Sequence, residues 1–330
     1  MASGKYPVDR GSNVCGLGIV TVKICIIPGV DLSIVIVSFN VRELLSDCLE
    51  SIFKLKTAAD KWQVIVADND SMDGTVSELR EKFPMVEIIA SRKNLGFAGG
   101  NNLARKKVEA ATVLFLNPDT RVTGRAIRKS LEVLKFRTNV GAVTCKVLLP
   151  GGEMDYSCHR GLPTVWNTLC YWTGLGKCFP KSKLLAGYKA TYLDVNTAHE
   201  IECVSGTFLM IRREILEDIG WWDTDYYWNG EDIEMCYRLK QAGWKIWYMP
   251  DESIIHYKGS SSGLWSTARN QVDKTTKIRS AKSAAAAMRI FVGKHRQELG
   301  PGWVMTVVNA GIWVLEKYRL FKINHGFKYA

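Results

Sequence analysis

No C-x-x-C pair, no zinc-finger spacing and no RNP-type aromatic motif occurs in the 330 residues of this chain. Those absences remove the common zinc modules and leave nucleic acid as an unsuitable partner. There is no internal repeat and no low-complexity linker, so neither a solenoid nor a string of tethered modules is expected. A disulfide framework is equally out of keeping. The nine cysteines (Cys15, Cys25, Cys48, Cys145, Cys158, Cys170, Cys178, Cys203 and Cys236) are odd in number, and several sit inside apolar runs as free core thiols of a reducing, cytoplasmic setting do. Long hydrophobic runs are missing too. The apolar stretch from Val14 to Val30 is interrupted by Gly16, Gly18, Lys23, Pro28 and Gly29 and shows no small-residue cleavage site. It reads as an N-terminal extension, residues 1–30, or an extra edge strand, and not as a secretory signal. Trp303 to Leu315 is shorter than the about 20 apolar residues that cross a bilayer. Lys317, Arg319, Lys322 and Lys328 follow it. Tryptophans flanked by cations suit a helix lying on an anionic membrane surface, and an amphipathic core helix is the other reading.

What the chain has is a globular composition, 47% hydrophobic and 23% charged, long enough to bury a substantial core. Its 44 Lys+Arg against 33 Asp+Glu leave +11, which asks for anionic company such as phosphorylated substrates or acidic lipid head groups.

From Asp31 to Thr120 strands alternate with helices. Leu32–Val37, Val64–Ala67, Val86–Ile89 and Val113–Leu116 are short β-branched or aliphatic runs of the kind that make buried strands. Between them, Arg42–Lys54, a helix capped by Ser71 or Asp73 and running to Lys82, and Asn101–Glu109 carry helical spacing. Beyond lie a helix at Arg125–Phe136, strands at Ala142–Val147, Val204–Ile211, Lys245–Tyr248 and Ile254–His256, and a helix at Asp232–Ala242. Residues 156–200 are aromatic, basic and irregular, with no element predicted, and a segment this long in a compact domain is usually functional. The C-terminal part is helical, including Ala281–Val292. The fold class is therefore α/β, a mostly parallel open sheet with helices on both faces and a helical C-terminal extension. The expected divisions are 1–30, 31–260 (with halves 31–122 and 123–260) and 261–330.

Several strand ends carry chemistry. In open α/β sheets ligands collect outside the carboxyl ends of the strands, and Val113–Leu116 runs straight into Asn117-Pro118-Asp119. Pro118 cannot donate to a ladder, so the strand stops there, and Asp119 is placed at a crevice mouth where a hard cation carrying phosphate would suit it. Ordinary turn chemistry also accounts for Asn-Pro-Asp. Asp68 directly follows the second strand, and can accept the N–H of a pyrimidine base. Asp70, Asp73 and Gly74 after it are explained by turn and cap duties. The glycine-rich Asn94–Asn102 opens a helix whose amides could approach a pyrophosphate, although it lacks G-x-G-x-x-G. Glu231-Asp232 begins another helix, either as dipole partners or as a general base. His256 ends a strand and offers an imidazole nitrogen for a metal, or is simply a satisfied polar residue.

In order, Val37-Ser38-Phe39-Asn40, Asp68-Asn69-x-Ser71, Asn94-x-Gly96-Phe97-Ala98-x-Gly100-Asn101, Leu116-Asn117-Pro118-Asp119, Gly230-Glu231-Asp232 and His256 resemble the inverting glycosyltransferase family 2, of GT-A fold. Within it the chain looks like rhamnosyltransferase-like bacterial enzymes that build O-antigen and other surface polysaccharides. The resemblance runs from about Asp31 to about Gly259 and touches Lys294-His295. It implies that 31–122 binds a nucleotide-diphospho-sugar, dTDP-L-rhamnose, through Ser38, Asn40, Asp68, Asn69, Arg92, Asn94, Gly96, Gly100, Asn101 and Asn117. Asp119 would hold Mg²⁺ or Mn²⁺, with His256 completing the metal shell. Asp232 matches the catalytic base and Glu231 its acidic neighbour. The 123–260 half would take a saccharide acceptor, linked to polyprenyl diphosphate, at the inner face of the cell membrane. Asn117, where many members carry aspartate, is a departure that lowers the charge at the metal. The absent Q-x-x-R-W motif and membrane spans argue against processive polymerisation. A non-catalytic sugar-nucleotide-binding module and a sugar nucleotidyltransferase are the alternatives.

Overall fold

A computed structural model describes residues 29–257 and 274–325. The expected edge strand before Val30, the 260/261 boundary, Gly259 and Lys328 lie outside the described residues, apart from Gly29 and Val30.

The first half alternates as its pattern requires: β1 (Leu32–Ser38), α1 (Arg42–Leu55), β2 (Trp62–Asp68), α2 (Thr75–Lys82), β3 (Glu87–Ala90), α3 (Gly96–Leu103), β4 (Thr112–Leu116) and the short β5 (Thr120–Arg121). The rest comprises α4 (Gly124–Phe136), β6 (Val140–Leu148), α5 (Val165–Trp172), α6 (Leu175–Cys178), β7 (His199–Ile201), β8 (Phe208–Arg212), α7 (Arg213–Ile219), α8 (Glu231–Gln241), β9 (Lys245–His256), α9 (Lys274–Lys294), α10 (Arg296–Leu299) and α11 (Gly302–Asn324). All strands join one sheet in the order β3-β2-β1-β4-β8-β6-β9-β5, with β7 beside β9. The run β3-β2-β1-β4 is parallel. Beyond it the sheet is mixed, because β8 enters antiparallel between β4 and β6, while β6 and β9 pair parallel.

Every residue of β1 is buried, as expected for a central strand covered on both faces. Helix α1 buries Leu45, Cys48, Leu49 and Ile52 at helical spacing, and Thr123 caps α4 by accepting the Ala126 amide at 3.3 Å. Phe115 of β4 meets Trp222 and Trp221 edge-on at 5.0 and 5.9 Å. The described cysteines are thiols, buried except for Cys178.

Four local readings change. The glycine-rich segment is itself the start of α3, which begins at Gly96 and not at Asn101. Glycine disfavours helix by about 1 kcal/mol per residue, so propensity alone pointed to a loop. Packing overrides it: a Cβ on Gly100 would lie 2.7 Å from Val37 Cγ1, and one on Gly96, at φ +71°, 2.3 Å from the Tyr227 carbonyl oxygen. The strand expected over Val204–Ile211 starts only at Phe208, leaving Val204–Thr207 as a loop. The two strands expected at 245–256 are one, β9, whose register with β6 shifts between Met249 and Ser253 around Pro250. The irregular 156–200 segment contains α5, α6 and β7.

Helix α9 belongs to the main body as well as to the C-terminal hairpin. Ala287 and Phe291 enter the principal core, while Ala285, Val292, Met305 and Ile312 make a small second core between α9 and α11. Among the described residues no helix is long and apolar enough to cross a membrane.

Candidate active site

The parallel register brings the predicted strand-end residues into a row. Ser38 pairs with Asp68 at the carboxyl ends of β1 and β2, the Asn69 amide donates to the Ser38 carbonyl at 2.8 Å, and the Ser91 amide to that of Asp68 at 2.8 Å. Asp68 Oδ1 accepts the Ser71 amide at 2.9 Å. Asp68 Oδ2 and Ser38 Oγ are buried without a hydrogen-bond partner. Polar atoms are seldom left so in native interiors, and a ligand edge between these strands would satisfy them.

The other residues expected on the nucleotide side divide by what they already bind. Asn40, at φ +51°, accepts the Met72 amide and donates its own amide to Ser71 Oγ, tying the two strand-end loops together. Asn69 donates to the Gly96 carbonyl at 2.8 Å and Asn94 accepts the Gly96 amide at 2.9 Å, so both clip the start of α3. Asn101 is buried, donating to Phe97 O while its Oδ1 has no donor. Gly100 lies under Val37, and Arg92 is exposed.

Asp119 does not stand at an open mouth: it is only 1% exposed. Antiparallel pairing of β5 with β9 sets His256 opposite Thr120, and Tyr257 N donates to the Asp119 carbonyl at 2.8 Å. His256 Nε2 is then 3.2 Å from Asp119 Oδ1, and its Nδ1 is 3.2 Å from Asp155 Oδ2. Burial alone would push the imidazole down, but the carboxylates of Asp119 and Asp155 outweigh it and hold the ring up at about 9. Neither Asp119 oxygen accepts a hydrogen bond of good geometry. Asn117, half-buried, reaches His256 Nε2 at 3.4 Å and Thr207 Oγ1 at 3.5 Å.

These residues fit a divalent cation. Among the described residues Asp119 faces only the His256 ring and keeps both oxygens free of a good hydrogen bond, and a carboxylate on one ring nitrogen is how proteins orient a histidine whose other nitrogen binds metal. Asp155 supplies that partner. Among the described residues no group of three or more His, Cys, Asp or Glu is placed to hold an ion. Mg²⁺-type sites commonly need only one or two protein ligands, with substrate phosphates and water completing the shell.

The acidic pair opens α8 after Gly230, at φ +95°. A Cβ there would lie 2.9 Å from Tyr226 Cδ1 and 3.0 Å from Ala287 Cβ of α9, so the turn admits only glycine. Lys294 and His295, at the end of α9, clamp the same loop: Lys294 pairs with Asp223 and Asp225, and His295 Nε2 meets Glu234 Oε2 at 2.8 Å. Asp232 accepts the Ile233 amide on Oδ1 at 2.8 Å and is paired with Arg160 through Oδ2. Glu231 Oε2 is buried without a partner; burial first, and Asp232 second, push its carboxyl up to about 8.

The loop Val204–Thr207 links the two acidic centres. Thr207 O accepts the Asn117 amide at 3.1 Å, Val204 N donates to Cys236 Sγ of α8 at 3.4 Å, and Cys203 pairs through its backbone with Arg160. Ser205 Oγ, in the middle, is another buried atom without a partner. Asp155, Arg160 and Ser205 escaped the reading of the sequence. Asp155 and Arg160 lie where no periodicity orders the chain, and Ser205 sat inside an apparent strand.

Fold and site together define a glycosyltransferase of GT-A type. Solved structures similar to it include the mannosyltransferase PcManGT from Pyrobaculum calidifontis in complex with GDP-Man and Mn²⁺ (TM-score 0.54, 17% identity, covering 89% of this chain and 73% of that one). Another is GalNAc-T7 with UDP, GalNAc and Mn²⁺ (TM-score 0.51, 16% identity, 82% and 55%). The model described as "Glycosyltransferase like family 2" matches residues 28–273, and the chain belongs to that family. It is similar to the N-acetylglucosaminyl-diphospho-decaprenol L-rhamnosyltransferase of Mycobacterium tuberculosis, 26% identical over 211 residues that make up 61% of this chain and 68% of the relative. It is also similar to the poly-beta-1,6-N-acetyl-D-glucosamine synthase of Staphylococcus aureus, 27% identical over 64% of this chain, although the match spans only 46% of that protein.

Proposed function

We propose that this glycosyltransferase moves L-rhamnose from dTDP-L-rhamnose to a saccharide carried on a polyprenyl diphosphate, in cell-surface polysaccharide biosynthesis such as that of O-antigen. The reaction is divalent-metal-dependent, non-processive and inverting. The observation that carries this reading is the buried Asp119 carboxylate, without a hydrogen bond and 3.2 Å from His256 Nε2, on the strand end next to the open valences of Ser38 and Asp68. The name of the mycobacterial relative supports the choice of sugar and of lipid-linked acceptor.

On this reading Ser38 and Asp68 receive the nucleoside. Asn40, Asn69, Asn94, Gly96, Gly100 and Asn101 shape the loops around it, with Arg92 beside the base and Asn117 toward the diphosphate. Asp119 and His256 hold Mg²⁺ or Mn²⁺, which supplies Lewis-acid stabilisation of the charge that develops on the leaving diphosphate. Asp232, with Glu231 beside it, takes the proton of the acceptor hydroxyl as that oxygen attacks the anomeric carbon from the face opposite the leaving group. Displacement in one step inverts the centre. The +11 charge and the exposed aromatic side chains of the C-terminal region suit a peripheral position on the anionic inner face of the membrane.

The test is a panel of nucleotide sugars with and without Mn²⁺, read by thermal shift and by release of nucleoside diphosphate in the presence of a lipid-linked acceptor. A ligand that binds only the native state raises apparent stability, so the sugar donor is expected to raise Tm in a Mn²⁺-dependent way. Asp232→Asn is expected to keep that shift and lose about 10²–10⁴-fold in turnover. Indifference of turnover to Asp232→Asn, or release of pyrophosphate from a nucleoside triphosphate, would overturn the proposal.

A further inference from the structure

Two adjacent carboxylates in a low-dielectric turn repel each other, and both are not readily ionised together unless a cation compensates one of them. At the head of α8 that cation is Arg160, and it sits on one member of the pair only. Its Nη2 donates to Asp232 Oδ2, while Asp232 Oδ1 is held by the Ile233 amide at 2.8 Å. Both oxygens of Asp232 therefore have a fixed partner, whereas Glu231 Oε2 has none.

The backbone that carries the guanidinium is itself firmly placed. Arg160 N donates to Cys203 O at 3.1 Å and Cys203 N to Arg160 O at 2.9 Å. The next residue, Gly161, leaves no room for movement, since a Cβ there would lie 2.2 Å from the Gly187 carbonyl oxygen. The side chains of Arg160 and Asp232 are 17% and 16% exposed, so the pair is shielded from bulk water without being closed off from a substrate. Arg160 Nε is buried without an acceptor. An arginine present only for stability would be expected to satisfy that donor, because an unmade buried hydrogen bond costs about 1–3 kcal/mol.

We propose that Arg160 is a positioning residue for the transfer reaction: it holds and aims the Asp232 carboxylate, and so decides that Asp232 and not Glu231 receives the acceptor proton. The inference rests on the reading of Asp232 as the base. The upward displacement of Glu231 agrees with it, since burial and the neighbouring Asp232 both disfavour the charged form of that carboxyl. It also gives the 149–198 segment a part in catalysis, because the arginine that orients the base comes from there.

A double-mutant cycle tests it on the full chain, with kcat, KM for the sugar donor and Tm measured for wild type, Arg160→Ala, Asp232→Asn and the pair. Misplacing a catalytic group by about 1 Å costs about 10²-fold, so Arg160→Ala is expected to lower kcat by about that factor while KM for the sugar donor stays within about threefold. In the Asp232→Asn background the same change should lower kcat no further, because a residue acting only through Asp232 has nothing left to act on. Arg160→Lys should recover about tenfold, supplying charge without the planar fork. If Arg160→Ala does not fold, Arg160→Lys and its combination with Asp232→Asn run the same cycle. Undiminished kcat in Arg160→Ala, a parallel loss of sugar-donor binding, or an additive loss in the double variant would overturn the inference and leave the transfer reading standing. Wild-type protein without turnover on any sugar donor would overturn both.

Discussion

Asp119, the proposed metal ligand, is where the reading of the site is tested at the scale of one residue. Removing one partner of a buried structural ion pair typically destabilises by about 3–5 kcal/mol, because a charge is left uncompensated. Among the described residues Asp119 faces only His256, and His256 retains Asp155 if that charge is removed. Asp119→Asn is therefore expected to cost less than the full ~3–5 kcal/mol while abolishing the Mn²⁺-dependent Tm shift. A loss of several kcal/mol with the metal response intact would refute this account. Gly100 illustrates the opposite case. Alanine would gain about 1 kcal/mol in helix propensity, but its Cβ would be 2.7 Å from Val37 Cγ1 and 2.9 Å from Asn69 Nδ2. Overpacking of this kind costs about 1–3 kcal/mol, so Gly100→Ala should show a lower urea midpoint, and an unchanged or raised one would mean that α3 can lift off β1 freely.

At the scale of elements, β7 and the segment between β6 and α5 meet through His159 and His199, whose Nε2 atoms are 2.8 Å apart. Burial, reinforced by the neighbouring His199, holds His159 down to about 4. A histidine depressed in the folded state is protonated more readily when unfolded, so its contribution is complete above about 6.5 and disappears as pH falls toward 4. The difference is on the order of 3 kcal/mol. Urea unfolding at pH 7 and pH 4 should accordingly show wild type losing more stability on acidification than His159→Gln, and parallel losses would count against the argument. None of this was visible in the sequence. The strands of the parallel half were legible because they are short, apolar and bounded by turn residues, and α1, α4 and α8 because their apolar positions recur at helical spacing. α5, α6 and β7 carry no such period, since they pack locally and leave Trp166, Leu169 and Phe179 exposed.

Those exposed side chains matter at the scale of the whole molecule. A Cβ on Gly311 of α11 would lie 3.3 Å from Trp172 Cζ3 of α5, so the aromatic surface of the α5–α6 segment continues onto the C-terminal hairpin. There Trp303 and Trp313 are 71% and 55% exposed, and Lys317 and Lys322 lie over the Trp313 and Tyr318 rings. The proposed membrane position predicts that the protein sediments with anionic vesicles, that Trp303→Ala with Trp313→Ala weakens this at least severalfold, and that added salt weakens it further as charges are screened. Equal sedimentation of the double variant and wild type would remove the C-terminal region from any such surface.

The residues alone determined which strand ends carry ligand-seeking groups, because an apolar run that stops at Asn117-Pro118-Asp119 or at Asp68 has one place to stop and the carboxylate falls just beyond it. The positions of Ser38, Asp68 and Asp119 were legible for that reason, that of Glu231-Asp232 because it opens the periodic helix α8, and the family and the class of reaction because the motifs follow in order. Only the tertiary structure decided which carboxylate is matched to which cation. Asp155 reaches His256, and Arg160 reaches Asp232, across sequence separations of 101 and 72 residues. Contacts of that length depend on sheet order and register, and the antiparallel entry of β8 between β4 and β6 that assembles them has no local signature in the chain.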